Sequence, residues 1–362
     1  MGNTKLHEAR RAERDEFYTQ IGDVEKEVAF YRPHFAGKSV FLNADDPRES
    51  AFFEYFALNF HTLGLRKLVA IGYEGSPIVG EQLPLFDMAG MKHRARGMSG
   101  KQAHVVEITH VPDYAGKGAI DLTDIDELLR SDYATVTALQ GDGDFRSPES
   151  VRYLEEADVV VTNPPFSLFR EYMAQLVDYG KDFLVLGNMN AIAYKEIFPL
   201  IKDGKLWLGV TSNSGQLWFR SPNSTVADNN TRLSDDGTVL KGVGVRWYTN
   251  LENPRRNAPL SLVRRYADNP DAYPTYDNYD AIEVGRVANI PVDYDGVMGV
   301  PITFLGKHNP NQFQIVGLAA GRAKRLHYEV PHIPHAEARG GCGVVNGKWK
   351  YSRLLIRRVP SA

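Results

Sequence analysis

The sequence predicts an α/β fold built on a mainly parallel sheet, with a mixed, strand- and loop-rich region appended at its C-terminal side. Three observations point there. Short β-branched runs such as Val159-Val160-Val161-Thr162 end abruptly in loops made of Asn, Asp and Pro. These runs alternate with stretches of helical periodicity, and strand, helix, strand is the order that parallel neighbours require. The alternation stops near residue 210, after which Ser, Asn, Asp, Thr and Gly crowd residues 211–242. The expected organisation is therefore an α/β domain over residues 1–210 with an insertion at about 75–118, followed by a separate region over 211–362.

Residues 3–16 alternate acidic and basic side chains and read as a solvated helix. A helix from Asp23 to about Tyr31 puts Val24, Val28 and Tyr31 on one face. Lys38–Asn43 reads as a strand, with Ala44-Asp45-Asp46-Pro47 as the turn after it. Ser50 is a candidate N-cap for a helix to about Leu63, whose Phe52, Phe56, Phe60 and Leu63 make one stripe and whose stop is Gly64. A second strand, Lys67–Tyr73, ends in Glu74. Residues 75–118 are rich in Gly, Lys and Arg and weakly periodic, with Val105–Ile108 as an edge strand inside the insertion.

A short helix over Asp121–Arg130 and a strand over Thr135–Leu139 lead to Gly141-Asp142-Gly143-Asp144-Phe145, and a helix over Pro148–Glu156 leads to the Val159 run. Beyond it come a helix over Leu168–Tyr179 with Phe169, Met173, Leu176 and Val177 inward, a strand over Phe183–Gly187, a helix over Met189–Ile201 and a strand over Leu206–Val210. In the C-terminal region Val245–Thr249 and parts of 296–320 read as strands. Lys348–Val359 alternates basic and apolar residues like a strand with one solvated face.

Composition excludes several classes. One cysteine, Cys342, rules out a disulfide framework and a cysteine-rich metal site. No apolar run has the length of a membrane span, and the stretch Thr4–Arg11 lacks the apolar core of a signal peptide, so a cytoplasmic protein with no membrane partner is expected. The net charge of −3 means that any nucleic-acid surface must be a local basic face. His327, His332, His335 and Cys342 lie close in sequence, but their spacings match no standard zinc site, and no metal is expected.

The chemistry is concentrated in Asn163-Pro164-Pro165-Phe166, which follows the Val159 run directly. Each proline fixes φ near −65° and lacks an N–H, so such a loop presents carbonyl oxygens, an amide and an aromatic ring in one rigid arrangement. An ordinary Pro-Pro turn is the plain alternative. The arrangement suits a planar ring bearing an amino group. An exocyclic amine is a poor nucleophile because its lone pair is delocalised. If the Asn163 side-chain oxygen and the Pro164 carbonyl both accept its hydrogens, the lone pair turns toward an incoming methyl group, while Phe166 stacks on the ring.

The remaining candidates describe a nucleoside pocket. Strand, acidic turn, helix, strand and acid follow one another from residue 38 to 74, although an Asp-Asp-Pro turn stands where a dinucleotide site has a glycine-rich one. Glu74 can accept both ribose hydroxyls, Asp144 an adenine amino group, and Phe145 can pack on that adenine. A sulfonium would favour the carboxylates of Asp45 or Asp46. The cofactor so described is S-adenosyl-L-methionine.

The stretches Asp15-Glu16-Phe17-Tyr18-Thr19, Val40-Phe41-Leu42-Asn43-Ala44-Asp45-Asp46-Pro47, Gly141–Phe145, Thr162–Ser167 and Gly187-Asn188-Met189-Asn190 resemble the motif series of the EcoRI-type adenine-specific DNA methyltransferases. Gly296–Leu305 and the basic terminal strand resemble the same family, so the similarity covers most of the chain. The resemblance implies a Rossmann-like, S-adenosylmethionine-dependent methyltransferase sheet with a target-recognition region. It also implies methyl transfer to N6 of an adenine flipped out of a short duplex DNA sequence. Asn163, Pro164, Pro165 and Phe166 match the catalytic loop. Tyr18, Thr19, Asn43, Asp45, Asp46, Glu74, Asp144, Phe145 and Asn163 form the set expected at the cofactor. The implied setting is a restriction-modification system, in which a monomeric enzyme and a cognate endonuclease act on the same site without binding each other.

Arg246, Arg255 and Arg256 are the candidates for DNA contact, with scattered surface arginines as the plain alternative. Asn188 and Asn190 could line the pocket or cap a helix. Two other readings stay open: the same loop serving an RNA adenine or a protein glutamine amide, and a non-catalytic nucleic-acid-binding module that keeps only the fold. The polar lobe after residue 210 favours a duplex-reading enzyme over the first, and an intact Asn163–Phe166 and Asp144 speak against the second.

Overall fold

A computed structural model describes residues 19–47, 50–73, 103–113, 122–129, 131–211, 217–220, 230–234, 237–276, 279–319, 343–345, 348–350 and 352–360. The expected helix over 3–16, Tyr18, Glu74, most of the insertion, and the His327–Cys342 cluster lie outside them. The chain divides into two compact units, Met1–Asn188 with Ser214–Leu251, and Met189–Asn213 with Glu252–Ala362. The composition suggests one boundary at 210; here the chain leaves the first unit after Asn188 and returns to it for 214–251.

In the first unit, helix α1 (Ile21–Val28) buries Val24 and Val28, and Tyr31 just beyond it is also fully buried. Strand β1 (Ser39–Leu42) is buried along its whole length, as a central parallel strand covered on both faces must be. Helix α2 (Ala51–Leu58) starts where Ser50 accepts the N–H groups of Phe52 and Phe53 at 3.1 and 3.4 Å. Its turn ends at Gly64, whose φ of +65° a residue with a Cβ adopts only under strain. Then come β2 (Lys67–Gly72), β3 (His104–Ile108), α3 (Leu122–Leu128), β4 (Ala134–Ala138), α4 (Pro148–Glu156), β5 (Val159–Thr162), α5 (Phe169–Asp178) and β6 (Asp182–Asn188).

β3 is not the edge strand that its insertion setting suggests. It lies between β2 and β4 and pairs antiparallel with both, and Val105 and Ile108 are fully buried. Its burial explains the run of apolar residues that the sequence pattern left at an edge. β2, β1, β5 and β6 are parallel in that spatial order.

β7 (Trp207–Leu208) belongs to the second unit. The first resumes with β8 (Leu217–Arg220), β9 (Thr231–Leu233) and β10 (Val239–Val243), a small antiparallel sheet in the order β8-β10-β9. β11 (Val245–Thr249) then pairs antiparallel with β6. Its fully buried Trp247 meets Phe52 of α2 edge-on, ring centres 5.8 Å apart. This antiparallel return is why the chain past residue 210 rejoins the first unit.

In the second unit, α6 (Phe198–Lys202) is followed by β12 (Ile282–Glu283), β13 (Met298–Pro301) and β14 (Phe313–Ala319), by the hairpin of β15 (Gly343–Val345) and β16 (Lys348–Lys350), and by β17 (Arg353–Arg358). β12-β13-β17-β14 form one sheet. The expected one-sided terminal strand differs here: Leu354, Leu355 and Ile356 are all buried because β17 runs between β13 and β14 rather than along an edge. Arg353 is buried with them and pairs with Glu283 at 2.8 Å, while Tyr276 donates its hydroxyl to the same carboxylate at 2.8 Å. A Cβ on Gly299 would stand 1.7 Å from that hydroxyl, so the cluster needs glycine there.

Candidate active site

The chain runs from β1 outward to β2 on one side and comes back to β5 on the other, so the sheet reverses its winding between β1 and β5. Ligands of open α/β sheets sit outside the carboxyl ends of the strands at such a reversal. The two segments leaving those ends are Asn43–Asp46 from β1 and Asn163–Phe166 from β5.

Asp45 joins them. It is 6% exposed and accepts hydrogen bonds from the Ser50 hydroxyl at 2.7 Å, from the Thr162 hydroxyl and from the Asn163 backbone N–H. One carboxylate thus ties the β1 turn, the cap of α2 and the start of the Asn-Pro-Pro-Phe loop. Burial pushes its carboxyl up to about 6 against the pull of those three donors, and the charge of Asp46 adds to the rise. Asp46 faces another way: a Cβ on Gly72 would lie 3.1 Å from its Oδ2 and 2.5 Å from Cε1 of His104.

Asn163 is half-buried and its Nδ2 donates to the Thr19 hydroxyl at 3.4 Å. Pro164 is buried and Phe166 half-buried, starting a tight turn in which the Leu168 N–H meets the Pro165 carbonyl at 3.0 Å. The loop enters α5 without slack.

The Asp142–Phe145 turn packs on the same ground. Gly143 has φ +82°, and a Cβ there would come within 3.1 Å of the Tyr73 Cα at the end of β2. Asp144 is buried and its carboxylate is held by Arg146, Nη2 to Oδ2 at 2.6 Å and Nε to Oδ1 at 3.0 Å, while Arg146 also reaches Glu171 at 2.6 Å. Phe145 is buried edge-on against Tyr172, 5.1 Å between centres. The Tyr172 hydroxyl in turn donates to Asn43 Oδ1. Sequence reasoning missed Tyr172, Thr162 and Ser50 as parts of the site. Tyr172 falls on the buried face of α5 with Phe169 and Met173, and a hydroxyl on such a face is the signal that was available.

The structure therefore brings together Thr19, Asn43, Asp45, Asp46, Asp144, Phe145, Asn163, Pro164, Pro165 and Phe166 within the first unit; Tyr18 and Glu74 lie outside the described residues. Asn188, half-buried, and Asn190, exposed, close β6 and begin the turn after it. Of the arginines, Arg246 is half-buried on β11, its Nη1 on the Val245 carbonyl at 2.9 Å. Arg255 is exposed, and Arg256 is buried over the Trp207 ring at 4.4 Å. Among the described residues no group of His, Cys, Asp and Glu could hold a metal ion, and no helix is long and apolar enough to cross a membrane.

Residues 5–359 match the family described as "Adenine-specific methyltransferase EcoRI". The chain belongs to this family of methyltransferases. It is 40% identical over 357 residues to the type II methyltransferase M.EcoRI of Escherichia coli, covering 98% of this chain and 96% of that one. It is 35% identical to M.MpnI of Mycoplasma pneumoniae and 34% identical to M.MgeORF184P of Mycoplasma genitalium, both named type II methyltransferases, with 98% of each chain covered in both comparisons. No solved structure matches the chain.

A methyltransferase needs a methyl donor, and the carboxyl ends of β1 and β5 have features that fit a nucleoside-bearing one. Asn43 is 3% exposed and its Nδ2 has no hydrogen-bond partner, an orphaned donor at the carboxyl end of β1. Gly143 leaves a cradle against Tyr73 and Ile71 that a Cβ would fill, the buried Asp144 follows it in the chain, and the buried Asp46 stands beside Gly72 at the end of β2.

Proposed function

We propose that this methyltransferase moves a methyl group from S-adenosyl-L-methionine to the N6 amino group of an adenine flipped out of a specific short duplex DNA sequence. The observation that carries the reading is the Asn163 amide, set beside Thr19 and anchored through its backbone to Asp45 at the reversal of the sheet. The family and the type II names of its relatives support DNA as the substrate.

S-adenosyl-L-methionine, when bound, supplies a methyl group on a positively charged sulfur and takes back the electron pair of the broken C–S bond. Asn163 Oδ1 and the Pro164 carbonyl accept the two amine hydrogens, so the nitrogen lone pair is directed at the methyl carbon rather than into the ring. Pro165 holds the loop's path, and Phe166 stacks on the flipped base. The extra amine proton leaves to water, and no side chain is assigned as general base. Asn43, Asp46, Asp144 and Phe145, with Tyr18, Thr19 and Glu74, hold the cofactor. Asp45, with its oxygens occupied by the loop and the α2 cap, serves it through position and long-range charge. Arg246 and Arg255 are the proposed duplex contacts. The enzyme is proposed to act as a monomer in the cytoplasm, sharing its site with an endonuclease that it does not bind.

Asn163→Ala tests the reading. Calorimetry should find S-adenosylmethionine binding retained, while methyl transfer to unmethylated genomic DNA falls by about 10²–10³, the loss typical of a transition-state donor or acceptor. Wild-type turnover in the variant would sink the assignment. Label from wild type appearing in RNA or protein amide rather than as N6-methyladenine would move the substrate.

A further inference from the structure

The second unit contains a pocket with no place in the chemistry above. It is lined by Trp207, Leu208, Arg255, Arg256, Leu305 and His308, among others. Arg256 is only 9% exposed, and none of its guanidinium N–H groups is hydrogen-bonded among the described residues. Its Nε is buried outright with no partner, and no carboxylate forms an ion pair with it among those residues. What it has is the face of Trp207 at 4.4 Å and its backbone N–H on Asn253 Oδ1 at 3.1 Å, which pins the chain at that point.

Burying this charge is costly, and the nearby charge of Glu252 and the cation–π contact offset only part of that cost, so burial still disfavours the charged form. The wall adds no further charge: His308 is half-buried, takes part in a 2.8 Å hydrogen bond with the Phe313 carbonyl, and desolvation and the Arg256 charge hold it down to about 4, hence neutral. A second arginine, Arg255, stands exposed at the same pocket. A planar fork of donors on an aromatic plate, with a second positive charge beside it, is complementary to a tetrahedral oxyanion.

We infer that the Arg256–Trp207 pocket binds one phosphodiester oxyanion of the DNA backbone. This rests on the duplex-DNA reading above and deepens it, since it separates Arg256, buried and pre-oriented, from exposed arginines that act by charge alone. The same chemistry would take free phosphate, so the test needs both sources.

Wild type, Arg256→Gln and Arg256→Lys are titrated by anisotropy with a fluorescein-labelled duplex over a range of KCl, and melted with and without inorganic phosphate at constant ionic strength. Loss of one phosphate contact should reduce the slope of log K against log salt by about 0.9 in Arg256→Gln, and Arg256→Lys should restore it as a point charge. Without ligand, Arg256→Gln should melt no lower than wild type, because a desolvated charge with no hydrogen-bonded carboxylate among the described residues has been removed. Phosphate should stabilise wild type more than this variant. A drop in melting temperature with an unchanged salt slope makes Arg256 a structural residue and overturns the proposal, as does an identical phosphate response in all three proteins. Arg256-dependent stabilisation by phosphate in a wild type that does not bind duplex would keep the oxyanion site and overturn the DNA reading.

Discussion

Thr162→Val probes the anchor of the Asn163–Phe166 loop. The change is nearly isosteric and removes one of the three donors to the Asp45 carboxylate. Burial holds this carboxyl at about 6, above its ordinary 3.8. Between those values the folded chain therefore binds more protons than the unfolded chain and loses stability as pH rises, with the full penalty, about 3 kcal/mol, present above pH 6. A donor lost to the ionised form costs about 1.5–3 kcal/mol, and a donor lost to the neutral acid about 0.5–1.5 kcal/mol. Thr162→Val should thus lower the melting temperature by several degrees at pH 7.5 and by clearly less at pH 5.0. At pH 7.5 its kcat should also fall more than its affinity for the methyl donor, because the loop that carries Asn163 is loosened while the donor's own contacts remain. Equal destabilisation at both pH values would refute an ionised Asp45 as the partner of Thr162.

Two further outcomes can be checked directly. Gly143→Ala forces a side chain into a backbone with φ +82° and to within 3.1 Å of Tyr73 Cα, so calorimetry should find methyl-donor binding weakened about tenfold or more, at about 1–2 kcal/mol for the backbone alone. Arg353→Ala leaves the buried Glu283 without its guanidinium partner, and chemical denaturation should find a loss of about 3–5 kcal/mol in the second unit, most of it recovered when Glu283→Gln is added.

Much of the first unit was legible because its strands are buried on both faces and its helices carry ordinary caps. Val159–Thr162 reads as a central strand from four residues, and Ser50 announces the start of α2 before any packing is known. What failed was neighbour relations. Nothing local to Val105–Ile108 says that β2 and β4 flank it, and nothing local to Leu354–Ile356 says that β13 and β14 do; sheet order is set by pairing over long sequence separations, which periodicity does not encode. The return of β11 to β6 is of the same kind, and it is why a composition change at 210 and the grouping of the chain in space fall at different residues.

The site shows the same limit at the scale of one residue. Asp45 and Asp46 are indistinguishable as letters, and a sulfonium nearby is an equal reason to want either. Their side chains leave the backbone in different directions. One enters the space between β1 and β5, where Ser50, Thr162 and Asn163 supply three donors, and the other turns toward Gly72 and His104. The three donors on Asp45 come from both strand ends and the α2 cap, so it joins those segments, and its charge still acts at a distance in a buried setting. The acidic turn that replaces a glycine-rich one thus divides its labour: Asp45 fixes where the Asn163–Phe166 loop stands, and on the proposed reading Asp46 is the acid that faces the methyl donor. Asp45→Asn with cofactor affinity intact and turnover reduced would separate the two.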